Sequence, residues 1–327
     1  RVLWLQWRDI KHPWAGGAEV FMHEIAKRLS IKDFDVLVLT SGFKDLPEKE
    51  ILGGYRVNRL GDHDSYPFHL HKVLKRYIGW ADIIVEDTSK IPLYTPLRSS
   101  GKPVVAIVHH LNREIYFDEL PLRKAFLAYA MEGLMPRLYS LYSNTTFVAV
   151  SQSTREELIK LGAKPEKIII VTNAVDHNKY KPRTNSHLKQ KTKTPTVLYL
   201  SRLKRYKQPH HAVLAFKILA EEVPDAKLII AGGGELKNEL KVLIRNLRLE
   251  EKVNVLGRVG EHEKLSLLQD SWVLLQTSKK EGFGITVLEA NACGTPAIAY
   301  RVLGLRDSII DGETGILVPC LLYTSDA

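Results

Sequence analysis

Two glutamates, Glu281 and Glu289, are separated by seven residues in the stretch Glu281-Gly-Phe-Gly-Ile-Thr-Val-Leu-Glu289. Gly282 and Gly284 leave backbone N–H groups bare just where apolar spacing over 285–293 predicts a helix. A helix N-terminus with exposed amides attracts an anion. Carboxylates near an anion cost Coulomb energy unless they are aimed elsewhere. Glu281 precedes the helix and Glu289 lies about a turn inside it. The amides between them can therefore face a diphosphate while the carboxylates reach neutral hydroxyls on either side. A ligand with hydroxyls flanking a diphosphate is a nucleotide sugar. A surface helix with a dipole-complementing acid accounts for the same residues without a ligand.

Three further groups could join such a site. Arg202, and Lys207 after four intervening residues, follow the apolar run 196–201. A guanidinium can grip two oxygens of a diphosphate, and an ammonium acts as a compact point charge. A solvated basic loop is the alternative, and it suits Lys204 and Arg205. His109-His110 ends the apolar run 104–108, where a structural histidine pair is commoner than a catalytic one. Ala15-Gly16-Gly17-Ala18-Glu19 lies between a first strand and a helix; it either lets the backbone approach a phosphate or simply makes a tight turn.

The elements that must position these residues alternate. Apolar runs at 2–7, 36–40, 55–60, 83–85, 104–108, 147–151 and 168–171 read as strands, separated by helical or turn-rich segments. Residues 120–141, rich in Leu, Tyr, Phe and Met with Arg123, Lys124 and Arg137 interspersed, read as a core-packing helix pair interrupted at Pro136. Runs at 196–201, 227–231, 253–259, 272–277 and 297–300 repeat the alternation, with helices over 210–222 and from the turn at 232–235 to about Leu247. Strand–helix alternation implies parallel, doubly wound sheets, whose ligands lie beyond the carboxyl ends of the strands. Residues 177–195 contain almost no apolar side chains and read as a linker.

Glu281 to Tyr300, EGFGITVLEANACGTPAIAY, resembles the signature of retaining glycosyltransferase family 4, which has the GT-B fold: two Rossmann-like doubly wound parallel-sheet domains facing a cleft. The resemblance covers about residues 1–319. It implies an N-terminal acceptor-side domain at 1–180, a linker at 181–195, a nucleotide-sugar-binding domain at 196–319 and a tail at 320–327 outside the family. It also implies that the second domain is truncated; the opening in mid-strand without a methionine leads to the expectation that the N-terminus is trimmed. SRLKRYKQ resembles the family segment whose Arg and Lys neutralise the leaving diphosphate, roles that fall to Arg202 and Lys207. Glu281 would contact donor-sugar hydroxyls. Phe283, Gly284, Ile285 and Thr286 would present amides to the phosphates, and Glu289 would hold the ribose diol. Gly257 and Arg258 match the segment that borders the base. Gly16 and Gly17, with Glu19, match a loop facing the distal phosphate and acceptor. His109, with His110 as runner-up, matches a histidine that contacts the transferred sugar; Asn112, Arg113 and Glu114 follow and could address the acceptor. Asn173-Ala174-Val175-Asp176 resembles a family turn, with alanine at the usual glycine.

The implied reaction moves a sugar from a nucleoside diphosphate-sugar to a hydroxyl of a lipid-linked or polysaccharide acceptor, with no cofactor beyond that substrate. No metal is expected, because Arg202, Lys207 and the helix terminus supply positive potential. A GT-B sugar-nucleotide epimerase and a noncatalytic nucleotide-sugar binder are the alternatives. The 327 residues exceed the size at which one core keeps growing. The two cysteines, Cys293 and Cys320, form no disulfide framework. No apolar run approaches the roughly 18 residues that span a bilayer, and the chain is expected in the cytoplasm. A net charge of +10 fits diphosphate binding and peripheral contact with an anionic membrane surface. Nucleic acid is not expected, because aromatic and basic residues are not interleaved as in a recognition motif. The sequence does not assign an oligomeric state.

Overall fold

The first half of the chain builds strands β1 (Val2–Leu5), β2 (Val36–Thr40), β3 (Lys49–Leu52), β4 (Tyr55–Arg59), β5 (Ile83–Asp87), β6 (Val104–Val108), β7 (Thr145–Ala149) and β8 (Ile168–Ile170). They form one sheet in the order β3-β4-β2-β1-β5-β6-β7-β8, parallel except for the β3–β4 pair. The antiparallel β3 is a departure from the expected all-parallel pattern. Its sequence, Lys-Glu-Ile-Leu, has no apolar alternation to announce it. Helices α1 (Gly17–Ile31), α2 (Tyr66–Trp80), α3 (Ile115–Glu119), α4 (Leu122–Ser140) and α5 (Gln152–Lys160) connect the strands. Alternate residues of one strand feed opposite cores, as the two-residue pleat requires. Leu3 and Leu5 pack with Leu70, Leu74 and Ile78 of α2, whereas Val2 and Trp4 pack with Met22 and Ala26 of α1.

In place of the expected pair broken at Pro136, α4 is continuous through that proline. Burial of Ala125, Ala128, Met135 and Tyr139 outweighs the hydrogen bond that a proline removes. Ser151 caps α5, its Oγ accepting from the Thr154 amide at 3.0 Å.

The computed structural model describes residues 1–88, 90–183 and 194–320. The chain divides into two compact units, Arg1–Asn173 and Ala174–Ala327. Residues 174–180, counted with the first domain on sequence grounds, thus group with the second unit, where Tyr180 is buried in a core cluster. Most of the expected linker, 184–193, and all but Cys320 of the expected tail lie outside the described residues. Ala174 is not among the residues with positive φ, so its turn has no need of glycine.

The second unit holds β9 (Thr196–Leu200), β10 (Lys227–Ala231), β11 (Val253–Gly257), β12 (Val273–Gln276), β13 (Ala297–Tyr300) and β14 (Gly315–Val318) in the parallel order β11-β10-β9-β12-β13-β14. Helices α6 (Pro209–Glu222) and α7 (Lys237–Asn246) pack on one face, where Phe216, Leu240 and Ile244 meet Val197, Tyr199 and Ile230. Helices α8 (Glu261–Asp270), α9 (Ile285–Ala292) and α10 (Leu305–Ser308) serve the other, where Leu268, Val287 and Leu305 meet Leu198, Leu200 and Leu274. Strand order reverses at β9/β12 here and at β1/β5 in the first sheet. Such switch points open a crevice at the carboxyl ends of the strands.

Candidate functional site

At the second sheet's switch point, the loop leaving β9 meets the loop leaving β12. Lys207, from the first loop, is buried, and its Nζ donates to Glu281 Oε1 from the second. Ser278 Oγ donates to the same oxygen at 2.7 Å. The Lys207 ammonium also lies 4.9 Å from the centre of the Tyr206 ring, whose hydroxyl accepts from exposed Arg202 at 2.7 Å. Arg202, Lys207 and Glu281 are thereby linked through Tyr206.

Glycines fix this edge. Gly232 has φ +149°, and a Cβ there would fall 1.8 Å from the carbonyl oxygen of Ser201, so the turn after β10 lies directly against the backbone that delivers Arg202. Gly257 ends β11 at φ +82°, and its carbonyl accepts from the Gly232 amide at 2.6 Å; exposed Arg258 lies beside Gly233. Gly284 is the N-cap of α9 at φ +78°. Among the described residues the amides of Phe283, Gly284, Ile285 and Thr286 donate to no backbone carbonyl, which for the last three follows from their place at the N-cap and first turn of α9. Phe283 is buried, whereas Gly284, Ile285 and Thr286 are half-buried. Glu289, one turn on, pairs with Lys264 of α8 at 2.9 Å. Every candidate assigned to the second half of the chain thus lies at the carboxyl end of that one sheet or on the first turns of α9.

In the first unit, His109 follows β6 and is buried, its Nε2 2.9 Å from Asp87 Oδ2 at the end of β5. Burial works against protonation of this imidazole. The Asp87 charge and hydrogen bond, helped by Glu19, outweigh it and raise the pKa above the ordinary 6.5. Phe21 of α1 meets the His109 ring edge-on at 5.2 Å. Gly16 caps α1 and Gly17 is its first residue. Glu19 is buried, with Oε2 accepting from the Gly16 amide at 2.7 Å and Oε1 from Arg8 at 2.8 Å.

Asn112 and Arg113 are strapped to buried Glu132 of α4, which accepts from both backbone amides at 2.8 and 2.7 Å. The guanidinium of Arg113 folds back over Tyr129, 3.5 Å from the ring centre. Glu114 is exposed, and His110 is half-buried with its Nε2 3.2 Å from Asn112 Oδ1.

Sequence reading did not pick out Asp87, Glu132, Tyr180, Lys264, Ser278 or Gly304. Each but Ser278, which lies three residues before its partner Glu281, acts on a residue from a distant segment, which no local spacing reveals. Gly304 is the exception in kind, since an isolated Gly after a strand signals close backbone approach. At φ +82° its Cβ would fall 2.2 Å from the Glu281 carbonyl oxygen.

Among the described residues no group of three or more His, Cys, Asp or Glu side chains could hold a metal ion, and no helix is long and apolar enough to cross a membrane.

Residues 15–179 match the model of Glycosyltransferase Family 4, and residues 181–321 match that of Glycosyl transferases group 1. N-acetyl-alpha-D-glucosaminyl L-malate synthase of Bacillus anthracis is 34% identical over 94% of this chain and 81% of its own length. A D-inositol 3-phosphate glycosyltransferase of Corynebacterium aurimucosum is 28% identical over 81% of this chain; the alignment spans only 62% of that relative. HepE of Anabaena, solved in complex with UDP and glucose, superposes with a TM-score of 0.72 at 22% identity, over 97% of this chain and 85% of that one. Sucrose-phosphate synthase of Thermosynechococcus elongatus gives 0.81 at 19% identity over the same shares. The two doubly wound sheets are those of the GT-B fold, and the chain belongs to glycosyltransferase family 4.

Proposed function

We propose that this chain transfers a sugar from a nucleoside diphosphate-sugar to an acceptor hydroxyl with retention of anomeric configuration and without a metal ion. The observation that supports this reading is the gathering of Arg202, Lys207, Glu281, Glu289 and the bare amides of α9 at one strand-end edge. In the reaction the bond between the anomeric carbon and the diphosphate oxygen breaks. The acceptor oxygen bonds to that carbon on the same face, and its proton passes to the departing phosphate. Arg202, Lys207 and the amides of 283–286 stabilise the charge that develops on the leaving group. Glu281 orients the sugar, Glu289 the ribose, and His109 contacts the transferred sugar.

The donor base is proposed as uracil, because HepE binds UDP and glucose. The names of the two relatives point to small anionic acceptors, inositol phosphate and malate. Lipid-linked and polysaccharide acceptors complete the set to be tested. On α4 and the adjoining α3, Phe117, Leu122, Phe126 and Leu127 are exposed beside Arg123 and Lys124. We place a peripheral contact with anionic lipid on this face, at the cytoplasmic side of the membrane. Binding to anionic vesicles that resists high salt and is matched by neutral vesicles would count against it.

The deciding experiment incubates the protein with UDP-, GDP-, ADP- and dTDP-glucose and the corresponding N-acetylglucosamine donors, with each acceptor, in chelator, and follows nucleotide release and product mass. Transfer should persist in chelator and keep the donor's anomeric configuration. Conversion of donor without acceptor would instead indicate an epimerase, and binding without turnover a noncatalytic binder.

A further inference from the structure

Glu289 sits in a chain of alternating charges confined to the second unit. Lys179 Nζ donates to Glu261 Oε2, the Tyr180 hydroxyl donates to the same oxygen at 3.2 Å, and Lys264 Nζ lies 3.1 Å from Glu261 Oε1 and 2.9 Å from Glu289 Oε1. Both lysines also lie over the Tyr180 ring, at 5.0 and 5.2 Å from its centre. The groups come from three places: the segment that opens the second unit, the first turn of α8, and α9.

This arrangement suits the control of one carboxylate. The Glu289 side chain is only 12% exposed, and a carboxylate so enclosed needs partners for its lone pairs. Lys264 is itself only 19% exposed. Burial opposes its charge, but Glu289 and then Glu261 outweigh that and raise its pKa, so the ammonium stays charged. It occupies one oxygen of Glu289, and a carboxylate offers about four lone-pair sites, so capacity remains for a pair of hydroxyls. Lys207 differs in kind: that lysine is proposed to meet the diphosphate and so must be able to leave Glu281. Lys264 has no such second task.

We propose that Lys264 is the positioning residue for Glu289, holding one of its oxygens so that the other stays turned toward the vicinal hydroxyls of the donor's ribose, with Tyr180 and Glu261 fixing Lys264 in place. This rests on the reading of Glu289 as the ribose-binding group. Lys264 touches no substrate; it acts through the carboxylate.

The test separates that role from simple stapling of α8 to α9. UDP, GDP, ADP and CDP are titrated calorimetrically into the wild type, and the one that binds most tightly is compared with its 2′-deoxy counterpart. The pair is then titrated into E289Q, K264M, K264R, Y180F and the double variant K264M/E289Q, each with its thermal unfolding midpoint recorded. The wild type should prefer the ribose form by about tenfold, the worth of a hydrogen bond to a charged group. E289Q and K264M should both bring the preference close to parity, K264R should restore most of it, and Y180F should reduce it roughly twofold to threefold. The double variant should lose no more than E289Q alone, since the two residues act as one unit. K264Q replaces K264M should the latter not fold. Wild-type preference retained in K264M but lost in E289Q would reduce Lys264 to a helix staple and overturn the proposal. Preference retained in E289Q, or no binding of any of the four diphosphates, would remove the ribose reading and the proposal with it.

Discussion

The strand-end edges of the two sheets use carboxylates in opposite ways. In the first unit Glu86, Glu132 and Glu19 are buried and filled with donors: Glu86 accepts from the amides of Leu93 and Thr95 at 2.8 and 2.9 Å and from the Tyr139 hydroxyl at 2.7 Å. In the second unit Glu281 and Glu289 each hold a lysine from another element and stay partly open, with 17% and 12% of the side chain exposed. A carboxylate saturated by backbone donors shapes a loop, while one that holds a lysine and stays partly open keeps lone pairs for a ligand. The first edge is therefore built for rigidity and the second for binding.

The sharpest way to break this contrast is Glu86→Ala, which strands two backbone amides and a hydroxyl. We expect a loss of about 4 kcal/mol or more in urea unfolding. A loss below about 1 kcal/mol would show that these groups find other partners and that the first edge is not rigid in the sense argued. Next comes Lys207→Ala, for which transfer should slow roughly a hundredfold, about 3 kcal/mol of transition-state stabilisation. An unaltered rate would place Lys207 among structural cations. Gly304→Ala should act through geometry: relief of the clash with the Glu281 carbonyl displaces the loop, costing about 2 kcal/mol of stability and weakening donor binding. Calorimetry on the folded variant reads the second effect directly.

The smallest effect is a pH dependence in the first unit. The His109 pKa is raised in the folded chain, so the stability it gains from Asp87 is complete below the unfolded value near 6.5 and is lost as pH rises through the higher folded value. Asp87→Asn should therefore lower the thermal midpoint more at pH 5.5 than at about pH 9. An equal drop at both would mean that the imidazole is held by shape and not by charge.

How far the molecule could be read in advance follows the same division. Glu281, the amides of 283–286 and Glu289 are contiguous along one loop and helix, so their spacing carries the geometry, and the CGTP stop and following strand appear at 293–300. Lys264, Tyr180 and Asp87 are supplied by other segments, and side-chain pairing across such separations leaves no periodic trace. The strand β3 escaped because two of its four residues are charged, and the continuity of α4 because local propensity at Pro136 pointed the other way while burial decided it. Ala174 shows the reverse case, where a residue that departs from a familiar pattern sits in an ordinary backbone conformation.

The short outer strand β3 has a consequence for life in a crowded solution. Its Glu50 is riveted to Lys11 and to Arg59, whose guanidinium also grips buried Asp9 at 2.7 Å. A stranger's strand arriving at that border would find only four residues to zip onto, with an ammonium and a carboxylate that must first shed water. The sheet is thereby finished at that margin, and recruitment of a second chain there is discouraged.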